Sequence, residues 1–142
     1  MSEHDSDAKY DVVSYTPYLQ NIPLARRRVV QLVTDWGHPE LAGDAALLTS
    51  ELCTNALLHG CLRERLFRVE TFLTEAVFRV AVTDPKGERV PEPRAATSGD
   101  QFGRGLLIVE ALAARWAVDT LAVGKTVWAE LTVPPRRPRK PE

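Results

Sequence analysis

Gly103-Arg104-Gly105 runs straight into the apolar segment Leu106-Leu107-Ile108-Val109, where helical spacing begins. Glycines let backbone come close to a ligand, and the first turn of a helix offers unpaired N–H groups with a favourable dipole. Together they make an anion site, most naturally for phosphate. A lone Gly-x-Gly is weak evidence. Here it closes a stretch from Pro85 to Gly103 in which Pro85, Gly87, Pro91, Pro93 and Gly99 break any regular element. A structureless segment of that length inside a compact domain is usually functional, in this case as a lid over a ligand.

Two further polar features sit in apolar surroundings. Glu51, Asn55 and His59 recur at i, i+4 and i+8, so on a helix they line up along one stripe beside Leu47, Leu48, Leu52, Ala56 and Leu58. A carboxylate and an amide in so apolar a helix need partners if they are buried. Taken alone, the stripe reads better as a polar face turned to solvent. In the strand pattern that follows, Phe78, Val80 and Val82 share one face, and the same count puts Asp84 on it. Taken alone, Asp84-Pro85 reads as a turn former, and the alternative is an acid at the mouth of a cavity. Gly124-Lys125-Thr126 imitates the end of a P-loop. The earlier glycine of that motif would fall at Asp119, and Val127, Ala129, Leu131 and Val133 alternate as a strand where a helix should begin, so that reading is rejected.

The elements that must position these residues follow from periodicity. A first helix is predicted from Pro23 through Leu24, Val29, Leu32 and Val33 to Trp36, stopped by Gly37, with Arg26, Arg27 and Arg28 mainly on a solvated side. A second runs from Pro39 to about His59 and ends at Gly60, and a third from about Gly105 to Trp116. Strands are expected at Leu66 to Leu73 and Ala76 to Thr83 around a Thr74-Glu75 turn, near Ala117 to Leu121, and at Thr126 to Val133. Lys9 to Tyr18 can add an edge strand. Short turns between strands imply mainly antiparallel pairing, and the helices must then cover one face. The expected fold is a two-layer α/β sandwich with a mainly antiparallel mixed sheet, spanning residues 9–133 between tails at 1–8 and 134–142.

Composition narrows the function classes. The 142 residues suffice for one domain with a substantial core, and 44% hydrophobic with 26% charged residues is ordinary globular usage. Eighteen basic against nineteen acidic side chains leave a net charge of −1, which gives no general attraction to nucleic acid or anionic lipid. No apolar run could span a bilayer, and Met-Ser-Glu-His-Asp lacks a secretory start, so a cytoplasmic location is expected. Cys53 and Cys61 are too few for a disulfide framework, and with His59 they match no common zinc spacing.

The chemical residues occur in a telling order. Glu51-Leu-Cys-Thr-Asn55-Ala-Leu-Leu-His59, then Asp84-Pro-Lys-Gly87, then Gly103-Arg-Gly-Leu106 resembles the N, G1 and G2 boxes of the histidine-kinase-like ATPase superfamily, which includes DNA gyrase and the sensor histidine kinases. With Gly124-Lys-Thr-Val-Trp-Ala-Glu-Leu131 near the end and no phosphotransfer domain, the chain looks most like the stand-alone anti-sigma-factor serine kinases. The resemblance covers roughly Pro23 to Val133. It implies the Bergerat-type fold, with ATP and Mg2+ as cofactors.

Position by position, the resemblance assigns Asn55 to magnesium and Glu51 to the acceptor hydroxyl or water, as catalytic residue. Asp84 would accept a hydrogen bond from the adenine amino group, and Gly87 would let backbone lie against the base. Gly103, Arg104, Gly105 and Leu106 fall to the phosphates, Thr126 to support of Asp84 through water, and His59 to a phosphate contact or a structural hydrogen bond. Asp-Pro-Lys-Gly departs from the Asp-x-Gly-x-Gly of many members. The implied function is a kinase that holds a sigma factor and phosphorylates an anti-anti-sigma antagonist, with homodimerisation admitted but not required. The competing reading is an ATP-binding module without kinase activity. A small DNA-binding protein built on the two N-terminal helices and the basic tail is disfavoured by the balanced charge.

Overall fold

The computed structural model describes residues 8–59, 65–84, 106–122 and 124–135, with His59 in backbone only. The chain opens with strand β1 (Lys9–Tyr15), makes a short 3-10 turn (Leu19–Asn21), and enters helix α1 (Ile22–Asp35). Pro23 sits in the first turn of α1, where its missing N–H is no loss. Ile22, Ala25, Val29, Leu32 and Val33 recur on one buried face, as helical spacing requires. Gly37 closes the helix at φ 101°, a left-handed conformation that glycine takes without a Cβ penalty.

Pro39–Leu41 forms a second 3-10 turn that leads into α2 (Ala42–His59). The hairpin of β2 (Phe67–Leu73) and β3 (Val77–Asp84) follows. Its turn is held by Thr74, whose Oγ1 accepts from the N–H groups of Ala76 and Val77 at 3.2 and 3.1 Å. Residues 106–112 form helix α3, and β4 (Arg115–Thr120) pairs with β5 (Lys125–Thr132) through a turn in which Gly124 has φ 86°. Among the described residues five strands lie in the order β1-β2-β3-β5-β4, and all four pairings between them are antiparallel.

The third helix is shorter than periodicity predicts. Trp116 belongs to β4, opposite Ala129 of β5, because Arg115 and Trp116 gain ladder partners there that another helical turn would forfeit. The predicted edge strand near the N-terminus is present, ending at Tyr15 rather than Tyr18. The tails assigned to residues 1–8 and 134–142 lie almost wholly outside the described residues.

One face of the sheet carries the core. Phe67, Val69 and Leu73 of β2, Phe78, Val80 and Val82 of β3, and Val127, Ala129 and Leu131 of β5 join α1, α2 and α3 in one cluster. Full burial of each large side chain contributes about 1.5–3 kcal/mol. The other face has no helix among the described residues. Its charges are met within the sheet: Glu130 Oε2 accepts from Arg79 Nε at 2.8 Å, and the Arg79 guanidinium lies 4.0 Å from the Trp128 ring centre.

Candidate functional site

Helix α2 buries the arc Ala45, Leu48, Thr49, Leu52, Cys53 and Ala56 against the sheet and α1. Thr49 meets its own requirement by donating Oγ1 to the Ala45 carbonyl at 2.8 Å. Asn55 does not. It is only 3% exposed, and neither Oδ1 nor Nδ2 has a hydrogen-bond partner among the described residues. A buried polar group left unmet costs about 1–3 kcal/mol. The stripe therefore does not face solvent along its length: Asn55 is drawn into the domain, while Glu51, one turn earlier, is half-buried and still reaches solvent. Sequence spacing could not decide this, because a stripe at the edge of an apolar arc fits either environment.

Asp84 ends β3 on the core-facing side, as its parity with Phe78, Val80 and Val82 predicts, and is 1% exposed. A solvated turn aspartate would be open to water, so Asp84 is not one; whether a turn follows it lies outside the described residues.

Thr126 is placed differently from the expectation. The register sets Thr83 opposite Thr126 and Asp84 opposite Lys125. Side chains opposite one another share a face, and neighbours along a strand alternate. Thr126 thus lies on the open face, its hydroxyl 2.7 Å from that of Thr83, on the side of the sheet away from Asp84. Lys125 takes the place beside Asp84. The signal was present in the sequence: the parity that turns Val127, Ala129 and Leu131 inward also turns Lys125 inward and Thr126 outward.

Leu106 is 5% exposed and packs in the core with Val109, so its side chain is not available to a phosphate, and a contact from that residue falls to its backbone. The expectations for Gly87, Gly103, Arg104 and Gly105, and for the His59 side chain, lie outside the described residues.

Among the described residues the two helices α2 and α3 carry charge of one sign. Neither α2 nor α3 contains a lysine or arginine, while Asp44, Glu51 and Glu110 are acidic. A polyphosphate against this surface requires compensating positive charge, which a hard divalent cation supplies. The Asn55 amide fits that role, since its Oδ1 can ligate such a cation and its N–H groups can donate to an anionic oxygen. No group of three or more His, Cys, Asp or Glu among the described residues could hold a metal alone, so a cation here would share its coordination with the ligand's own oxygens.

A one-sided layer of helices on an antiparallel sheet, with a buried amide on α2 and a buried acid closing β3, defines a two-layer α/β domain. The chain matches the histidine kinase-like ATPase domain over residues 15–131, and it belongs to that family. Membership brings ATP binding with it. No curated protein gives a match to the chain. Among the described residues no helix is long and apolar enough to cross a membrane.

Proposed function

We propose that this protein is an ATP- and magnesium-dependent regulatory serine/threonine kinase that acts as an anti-sigma factor. It holds a sigma factor and releases it through a partner switch with an anti-anti-sigma antagonist. The observation that carries the reading is Asn55, a buried amide with both polar atoms unmet, one helical turn from the half-exposed carboxylate of Glu51. In this reading the pair divides the work. Asn55 would hold magnesium, and the cation, when bound, neutralises phosphate charge as it shifts. Glu51 would orient the acceptor hydroxyl and take up its proton. Asp84, dry and at the end of its strand, would accept a hydrogen bond from the amino group of the base. Phosphate placed on the antagonist adds about −1.5 to −2 charge at neutral pH, enough to break an interface by repulsion and desolvation.

The decisive experiment follows labelled γ-phosphate from ATP to the cognate antagonist. Glu51→Ala should slow transfer by at least about 100-fold while leaving ATP affinity within a few-fold, as loss of a general base does. Equal rates for the variant and the unaltered chain sink the kinase reading. Tight ATP binding by the unaltered chain with no transfer to any antagonist leaves instead a module whose partner binding is set by nucleotide. Capture of partners from the native host with and without ATP tests the sigma factor and the antagonist directly.

A further inference from the structure

We infer that the basic segment 136–142 of this chain docks back into a cleft at the end of the domain remote from Asp84. The inference does not rest on the nucleotide reading. The cleft holds about 650 Å³ and lies where the start of β1, the end of α1, the β2–β3 turn and the end of β5 meet. Glu75 in that turn and Asp84 lie at opposite ends of β3, about 25 Å apart along the strand.

The charge of the cleft calls for a cation. Asp35 ends α1, whose last turn has no basic residue, so its carboxylate adds to the negative end of the helix dipole. Glu75 lines the same cleft, and Glu40 stands behind His38, 3.0 Å from its Nδ1. Against these acids the described lining brings Lys9, at the start of β1, and His38 itself. Neither lining acid is without a partner, and Asp35 accepts from Gln31 at 2.9 Å. A carboxylate nevertheless offers about four acceptor sites, so each can take further donors. Half-buried Trp36 adds an aromatic surface.

The chain supplies the complement. Pro134 and Pro135 line the cleft, and the sequence continues Arg136-Arg137-Pro138-Arg139-Lys140-Pro141-Glu142, four cations against one acid. At about 3.1 Å per residue, Arg136 and Arg137 begin within about 3–7 Å of the lining at Pro135. Their local concentration there far exceeds that of a free peptide, so individually weak ion pairs suffice. The prolines fix φ and lower the ordering cost, and a Pro-Arg sequence suits an aromatic surface through stacking and cation–π contact. A nucleic acid or acidic partner is repelled by the same carboxylates. Docked here, the basic run is neutralised within the chain and is no longer an open arm for polyanions.

Amide and indole N–H spectra of the full chain test this. The chains are wild type, a tail-neutral variant (R136Q, R137Q, R139Q, K140Q), a charge-preserving variant (R136K, R137K, R139K) and a cleft variant (D35N, E75Q). In the tail-neutral chain the Trp36 indole and Glu75 amide peaks, remote in sequence from the substitutions, should shift, while those of β4 stay in place and report an intact fold. Raising salt from about 0.02 M to about 0.5 M shortens the screening length from about 20 Å to about 4 Å and should move the wild-type peaks the same way. The charge-preserving variant should stay near wild type, and the cleft variant should shift the amides of Arg136, Arg137 and Arg139. Unmoved Trp36 and Glu75 peaks in the tail-neutral chain overturn the docking. Shifts that grow with protein concentration place the tail of a second copy in the cleft and overturn the intramolecular form.

Discussion

On the open face of β3 and β5, Glu130 is 4% exposed and its Oε2 accepts from two nitrogens of Arg79, with the Arg115 guanidinium 3.7 Å from the other oxygen. Trp128 lies beneath both guanidinium groups and donates its indole N–H to Asp119 at 3.2 Å. On the helix-covered side Asn55 is buried to the same degree and has no such lattice. Both regions place polar groups where water is scarce: on the open face the Glu130 charge is compensated from within the sheet, although its Oε1 accepts no hydrogen bond, whereas neither polar atom of Asn55 has a partner among the described residues. Self-sufficient charge serves architecture, whereas polarity left unmet in the bare protein marks where a ligand completes the structure.

The contrast can be broken at neighbouring residues. Phe78 and Arg79 are adjacent in β3 and point to opposite faces. Phe78→Ala should cost about 3–5 kcal/mol in a denaturant titration, because the ring is fully buried against the helices and its removal leaves a cavity. Arg79→Ala should cost somewhat less, about 2–3 kcal/mol, by stranding the Glu130 carboxylate with only the mostly exposed Arg115 nearby. ATP affinity measured on the same Arg79 variant should stay within a few-fold of wild type, since the lattice lies on the far side of the sheet.

Asn55→Ala inverts that pattern. It should weaken ATP binding in the presence of magnesium by about 10- to 100-fold, while the melting temperature of the ligand-free chain holds or rises, because an unmet amide is removed. A fall in melting temperature as large as that of Arg79→Ala would erase the distinction between the two faces.

The smallest effect belongs to Tyr10, whose hydroxyl donates to Glu70 at 2.7 Å on the open face. That hydrogen bond to a carboxylate, helped by desolvation, raises the tyrosine above its ordinary value of 10.0. Folding therefore holds this proton more tightly, so the contribution is intact below about pH 10 and is lost as pH climbs past the folded value. Tyr10→Phe should change stability at neutral pH by under about 1 kcal/mol and flatten the alkaline end of the stability profile.

Much of this arrangement was legible from the chain. The period-two counts in β3 and β5 gave the covered face, the place of Asp84 on that face and the rejection of a P-loop at Gly124, while the burial of Asp84 was only one of two readings. The same count, carried one residue further, would have turned Thr126 outward; the family resemblance drew it toward Asp84 instead. What periodicity could not supply was context. Whether the Glu51 and Asn55 stripe met water depended on how α2 rolls against α1 and the sheet, which no local spacing encodes. Trp116 escaped for a related reason, since Ala113-Ala114-Arg115 favours a helix until β5 offers a ladder partner.

The position of β5 has a consequence for the order of events on the ribosome. Last of the five strands in the chain, it is inserted between β3 and β4, so the sheet stays split until residues near 132 have been synthesised. Nascent chains up to β3 can form the three-stranded β1-β2-β3 meander, but Asp84 then has no Lys125 across from it and the β3 edge stays open. Competence to take up nucleotide should therefore arrive late and all at once, with closure of this non-local pairing as the slow step.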